Sequence, residues 1–160
     1  MKFNRLSMIM AAAMALAACS QTPAETSLKE AYAESFMIGC AVNPSHTSGR
    51  LEQANELLLT HFNAISPENC LKPEAVQPRP GVWTFEEADE YVQFGEEHDM
   101  WMLGHTLVWH NQTPSFYWEK PDGTPKTREE LIETMRAHIE TVAGRYAGRI
   151  DAWDVVNEII

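Results

Sequence analysis

The stretch Phe36-Met37-Ile38-Gly39-Cys40-Ala41-Val42-Asn43-Pro44-Ser45-His46 carries the choice of fold. Its first seven residues are a short apolar run stopped by Asn-Pro, which reads as a buried strand. Three more such runs follow: Phe62-Asn63-Ala64-Ile65-Ser66, Met100 to Val108, and Ala152-Trp153-Asp154-Val155-Val156. Between them lie helical patterns. Leu51, Ala54, Leu57 and Leu58 recur at helical spacing. Thr84 with Glu87, and Thr127 with Glu130, form two capping boxes. They predict helices from Thr84 to about His98 and from Thr127 onward, the second with Leu131, Met135, Ile139, Val142 and Tyr146 on one face. Strands alternating with helices predict a parallel sheet, and unbroken apolar strands fit burial on both faces. An open doubly wound sheet usually carries a Gly-rich phosphate turn after its first strand. Here that turn reads Asn43-Pro44-Ser45-His46, without G-x-G-x-x-G. The fold class is therefore α/β, and a (β/α)8 barrel is favoured, with about four of its β/α units present.

The polar residues fall where a barrel needs them. Active sites of β/α barrels are built at the C-terminal ends of the strands. The second strand ends in Glu68-Asn69. The third contains His105 and ends in Trp109-His110-Asn111-Gln112, and the fourth ends in Asn157-Glu158. The connection from Asn111 to Lys126 is long, a length usually retained for function. Polar groups directly after Val155-Val156 are costly unless they face a polar cleft. A carboxyl held beside apolar groups can serve as a general acid, and amides and aromatics suit a sugar. Glycoside hydrolysis normally needs two carboxylates. Taken singly, each residue also has a structural reading: a salt bridge for Glu158, a turn for Glu68-Asn69, packing for Trp101, Trp109, Trp118 and Trp153. Convergence at successive strand ends outweighs those readings. His105 and His110 read as hydrogen-bonded histidines rather than a metal pair. Without H-E-x-x-H, a zinc hydrolase is not expected, and no cofactor is expected.

Composition narrows the partners. Twelve Lys+Arg against 23 Asp+Glu give 160 residues a net charge of −11, which argues against nucleic acid. Three cysteines are too few for a disulfide scaffold. Cys40 and Cys70 read as buried small hydrophobes, with a bond between them as the alternative. At the N-terminus, Lys2 and Arg5 precede an apolar stretch from Leu6 to Ala18, shorter than the roughly 20 residues of a membrane-spanning helix. It reads as a secretory signal. Its end, Leu16-Ala17-Ala18-Cys19, resembles the lipobox of bacterial lipoproteins. That resemblance implies lipidation of Cys19, membrane attachment and a periplasmic or cell-surface location. The organisation expected is a signal peptide over 1–18, a tether over 19–34 and the barrel portion over 35–160.

Three motifs then carry a second resemblance. They are Ser66-Pro67-Glu68-Asn69-Cys70-Leu71-Lys72-Pro73, Gly104-His105-Thr106-Leu107-Val108-Trp109-His110-Asn111-Gln112-Thr113-Pro114, and Trp153-Asp154-Val155-Val156-Asn157-Glu158. In order and spacing they resemble the first half of family-10 glycoside hydrolases, the endo-1,4-β-xylanases. The resemblance implies cleavage of xylan or xylo-oligosaccharides with retention, no metal and no protein partner. It implies Glu158 as acid/base and Asn157 as the contact to the sugar 2-hydroxyl. Glu68, Asn69, Lys72, His105, Trp109 and Gln112 are implied to bind the sugar on the non-reducing side, with His110 in the network around the carboxylates. The family's nucleophile, a Glu on a seventh strand, has no counterpart here. The 160 residues are thus expected to be a truncated portion, inactive alone. A non-catalytic xylan-binding lipoprotein and a glycosidase for another β-glycan are the alternative readings.

Overall fold

The computed structural model describes residues 25–159. The signal stretch, Cys19 and the start of the tether lie outside the described residues. Four strands, β1 (Gly39–Val42), β2 (Ala64–Pro67), β3 (Trp101–Val108) and β4 (Ala152–Val156), form one sheet in the order β1-β2-β3-β4, all parallel. The helices are α1 (Leu28–Ala31), α2 (Pro44–Thr47), α3 (Glu52–His61), α4 (Pro73–Val76), α5 (Glu86–Glu97) and α6 (Arg128–Arg145), with a 3-10 turn at Ser115–Tyr117. Among the described residues no helix is long and apolar enough to cross a membrane.

The strand order settles the choice left by the first β-turn-α connection. A doubly wound sheet reverses its winding at a switch point. Here each crossover steps to the next strand in the same direction, as in a barrel. Register places Cys40 beside Ile65, Ala64 beside Trp101, and Gly104 beside Trp153. Gly104 has a packing reason: a Cβ there would meet the Trp153 ring at 2.3 Å. The β2–β3 ladder spans two residue pairs, and the buried Tyr91 of α5 bridges its opening. Its hydroxyl lies 2.9 Å from the Ile65 carbonyl and 3.0 Å from that of Leu103. The core lies between this sheet and α5 and α6, centred on Val42, Ile65, Leu71, Tyr91, Val92, Val142 and Tyr146.

Several local expectations are corrected. The first strand begins at Gly39, and Phe36 and Met37 are exposed. Leu28–Ala31, assigned to the tether, are helical: the N-cap Ser27 and Glu30 form a capping box. Lys29 Nζ donates to the Leu59 carbonyl at 2.6 Å, docking α1 on α3. On α3, Leu58 is buried while Leu57 and the N-cap residue Leu51 are exposed. The Thr127–Glu130 box forms as expected. The Thr84–Glu87 box does not. Thr84 Oγ1 donates instead to the Ala75 carbonyl, so Phe85 takes the N-cap position without a side-chain cap. Trp118 is exposed rather than packed. Cys40 and Cys70 are free thiols, and burial pushes the Cys70 thiol up to about 12, keeping it protonated.

One buried polar cluster was not legible in advance. His138 of α6 is 1% exposed, and its Nδ1 lies 2.5 Å from Tyr117 Oη and 3.1 Å from Gln77 Oε1. Its Nε2 has no hydrogen-bond partner, and Trp83 stacks on the ring. Protonation would bury a charge, a cost only partly offset by a backbone hydrogen bond with Leu107. Burial accordingly lowers the His138 pKa to about 4. The unfolded chain therefore binds a proton that the folded chain refuses between about pH 6.5 and 4. Stability from this group is complete above that window and drains away as pH falls through it. In urea titrations, the loss of stability between pH 7 and pH 4.5 should be about 2 kcal/mol smaller in His138→Leu than in the parent. An identical pH slope in the two proteins would remove His138 from the account.

Candidate active site

The site forms at the C-terminal ends of the strands, where the sheet's ladder stops and side chains are free to turn inward. Its centre is Lys72, placed after β2 at the N-cap of α4 and only 8% exposed. A lysine so buried needs partners for its charge. Lys72 Nζ donates to Asn69 Oδ1 at 2.8 Å and to Gln112 Oε1 at 2.5 Å, and sits 5.0 Å from the centroid of the Trp109 ring. Gln112 Nε2 donates to Asn69 Oδ1 at 3.3 Å and to Glu74 Oε1 at 3.1 Å. The loops after β2 and β3 are thereby tied into one polar unit.

Trp109 links that unit to the end of β4. Its Nε1 donates to Glu158 Oε2 at 2.8 Å. His110 Nε2 stands 3.8 Å from the same oxygen, with both side chains more than half exposed, so this pair is weak. The backbone N–H of Asn157 donates to the Val108 carbonyl at 2.9 Å, extending the β3–β4 ladder to the residue before Glu158. Glu158 and Gln112 both adopt left-handed backbone, at φ 53° and 45°. For non-glycine residues this costs about 1–3 kcal/mol each and is concentrated at functional sites. A cavity of about 510 Å³ opens beside Glu158, between Trp109, Tyr117, Leu131, Met135 and Val156.

The remaining expected residues are placed nearby. His105 Nδ1 lies 2.9 Å from Asp154 Oδ2 across the β3–β4 pair, which fixes the imidazole next to Trp109. Glu68 Oε2 accepts from Asn43 Nδ2 at 3.1 Å, joining the ends of β1 and β2. The structure thus unites Asn69, Lys72, Trp109, Gln112 and Glu158 by direct contacts, and sets His105, His110, Asn157 and Glu68 around them. Three participants were not singled out from sequence. Asp154 had a signal, a carboxylate inside an apolar strand that calls for a partner. Asn43 and Glu74 had none, since an Asn-Pro turn and a Glu after Pro read as ordinary local structure. Among the described residues, no group of three or more His, Cys, Asp or Glu could hold a metal.

Chemically, the arrangement offers a carboxyl in reach of solvent, held at one oxygen by an indole N–H. Beside it stand fixed ammonium and amide groups that can bond hydroxyls. Comparison with known proteins points the same way. Residues 27–160 match the sequence pattern of "Glycosyl hydrolase family 10". The chain is 46% identical over 134 residues to endo-1,4-beta-xylanase B of Paenibacillus barcinonensis, covering 84% of this chain and 39% of that protein. It is 43% identical over 145 residues to endo-1,4-beta-xylanase A of Halalkalibacterium halodurans, covering 84% and 36%. Among solved structures, a psychrophilic glycoside hydrolase family 10 endo-beta-1,4-xylanase superposes with a TM-score of 0.80 at 35% identity, covering 84% of this chain and 41% of that one. Xylanase XynB from Paenibacillus barcinonensis, complexed with a conduramine derivative, gives 0.78 at 43% identity, covering 87% and 41%. The chain therefore spans about two fifths of the length of these relatives.

Proposed function

The chain belongs to glycosyl hydrolase family 10, and from that premise we propose that it supplies the first four strands, with the helices between them, of a retaining endo-1,4-β-xylanase. The observation that carries this reading is the contact between Trp109 Nε1 and Glu158 Oε2. It couples a carboxyl at the end of β4 to the Lys72–Asn69–Gln112 unit after β2 and β3. In this reading Asn69, Lys72 and Gln112 bind hydroxyls of the sugar on the non-reducing side of the scissile bond. Glu68 and His105 line the same side. Asn157 faces the sugar beside the reacting carbon. Glu158 delivers the proton to the leaving oxygen, then takes one from water when the glycosyl group is released. Trp109 holds the donating oxygen in place, and His110 adds a second polar neighbour.

Retention also requires a carboxylate nucleophile about 5–5.5 Å from the acid/base. The family resemblance puts it on a seventh strand, beyond the four described here. The chain by itself is therefore expected to bind sugar without cleaving it. Isothermal titration with xylotriose should show binding, while incubation with xylan should release no reducing ends. Xylan cleavage by the purified chain would overturn the division of labour. Cellotriose bound as tightly as xylotriose would favour a different β-glycan.

The same proposal extends to location. Lys2, Arg5, the apolar 6–18 stretch and Cys19 support an exported lipoprotein at the periplasmic or outer face of a bacterial membrane.

A further inference from the structure

We propose that Glu74 is a positioning residue for the sugar-binding unit, acting through Gln112; the inference rests on the xylan-binding reading above. Gln112 is held by Glu74 at two points. The backbone N–H of Glu74 donates to the Gln112 carbonyl at 3.0 Å, and Glu74 Oε1 accepts from Gln112 Nε2 at 3.1 Å. Gln112 itself has left-handed backbone, at φ 45°, a conformation that needs external support in a residue with a side chain. Its amide has two ends with opposite demands. The oxygen must face Lys72 Nζ, 2.5 Å away, and the nitrogen must then find acceptors. Asn69 Oδ1 is one, but at 3.3 Å it is the longer contact and already accepts a hydrogen bond from Lys72. The carboxylate of Glu74 is the other. A charged acceptor makes the stronger bond, and it polarises the amide so that the oxygen becomes a better partner for the ammonium.

The arrangement also sets what a sugar meets. Two of the three Lys72 protons and both Gln112 amide protons are engaged within the protein. This leaves the third ammonium proton and the Asn69 amide free for sugar oxygens. Without Glu74, the half-exposed Gln112 side chain can swing toward water. Asn69 and Lys72 would then be shared between each other and solvent, and the donors facing the sugar would lose their fixed directions.

The test uses the full chain labelled with ¹⁵N. In the parent protein the two side-chain amide protons of Gln112 should resonate apart, displaced from the positions of a free glutamine. In Glu74→Ala they should move toward those positions, and xylotriose should bind about five- to tenfold more weakly. Glu74→Gln retains an acceptor oxygen, so it should restore most of the amide displacement and bring affinity within about twofold of the parent. Gln112 amide resonances unmoved in Glu74→Ala would overturn the proposal, as would Glu74→Gln behaving no better than Glu74→Ala. If Glu74→Ala does not fold, Glu74→Asp, whose shorter arm withdraws the carboxylate, takes its place with the same two readouts. A parent chain that fails to bind xylotriose would count against the xylan reading alone, because the amide signature still decides what holds Gln112.

Discussion

Glu158→Ala, in a barrel completed by its remaining strands, is expected to lower kcat/KM on xylan by about 10²–10⁴-fold while sparing the first step on activated aryl xylosides. A positioned general acid contributes a factor of that order, equivalent to about 3–5 kcal/mol of barrier. The sugar alkoxide leaving from xylan is a strong base and departs only with a proton. A dinitrophenolate leaves without one, so removal of the acid barely touches its departure. Release of the glycosyl group should still slow, because in the proposed mechanism Glu158 also activates the incoming water. Pre-steady-state traces with the activated substrate should therefore show a rapid burst followed by slow turnover. Equal losses on both substrates, with no burst, would take the proton-donor role away from Glu158. Its backbone at φ 53° and the Trp109 contact would then need another explanation.

The second large effect belongs to Lys72. Lys72→Met keeps the length of the stem and removes the charge. Gln112 Oε1 loses its donor, Asn69 Oδ1 keeps only the longer bond from Gln112 Nε2, and Trp109 loses the cation over its ring. Hydrogen bonds to charged groups contribute about 1.5–3 kcal/mol each, and those sharing one ammonium do not add fully. Xylotriose affinity measured by titration should fall by at least about tenfold, and by up to about a hundredfold. Chemical denaturation should show a much smaller change, because Asn69 and Gln112 stand at the site's open edge and can rebond to water. Unchanged affinity in Lys72→Met would mean that the ammonium is an internal strut and not a sugar contact.

Read from residues, the parallel β/α layout was legible because its evidence is local and repeated. Apolar runs of strand length alternate with helical patterns, and polar residues sit just past the runs. Both features survive in any parallel β/α arrangement. The capping boxes show the limit of local rules. Thr127–Glu130 starts a helix whose first turn faces solvent, so nothing competes for the hydroxyl. Thr84 lies against the end of α4, where the Ala75 carbonyl takes its proton instead. The tether was misjudged for a similar reason. Residues 27–31 contain few large apolar groups, and their helix is held by α3 through Lys29 and the Leu59 carbonyl, a contact 30 residues away.

By itself the sequence determined the α/β class, the order of the strands along the chain, and the residue types offered at each strand end. Those follow from periodicity and from the cost of burying polar groups, which act over a few residues. Tertiary structure alone decided the singly wound strand order and the partners of each site residue. It sent Glu68 to Asn43, Glu158 to Trp109, and Gln112 to Lys72 and Glu74. It also buried His138 with an unpartnered nitrogen on a helix whose pattern marked other residues as inward. Such pairings depend on which loops the packing of the sheet brings within hydrogen-bond distance, and no spacing along the chain encodes that approach.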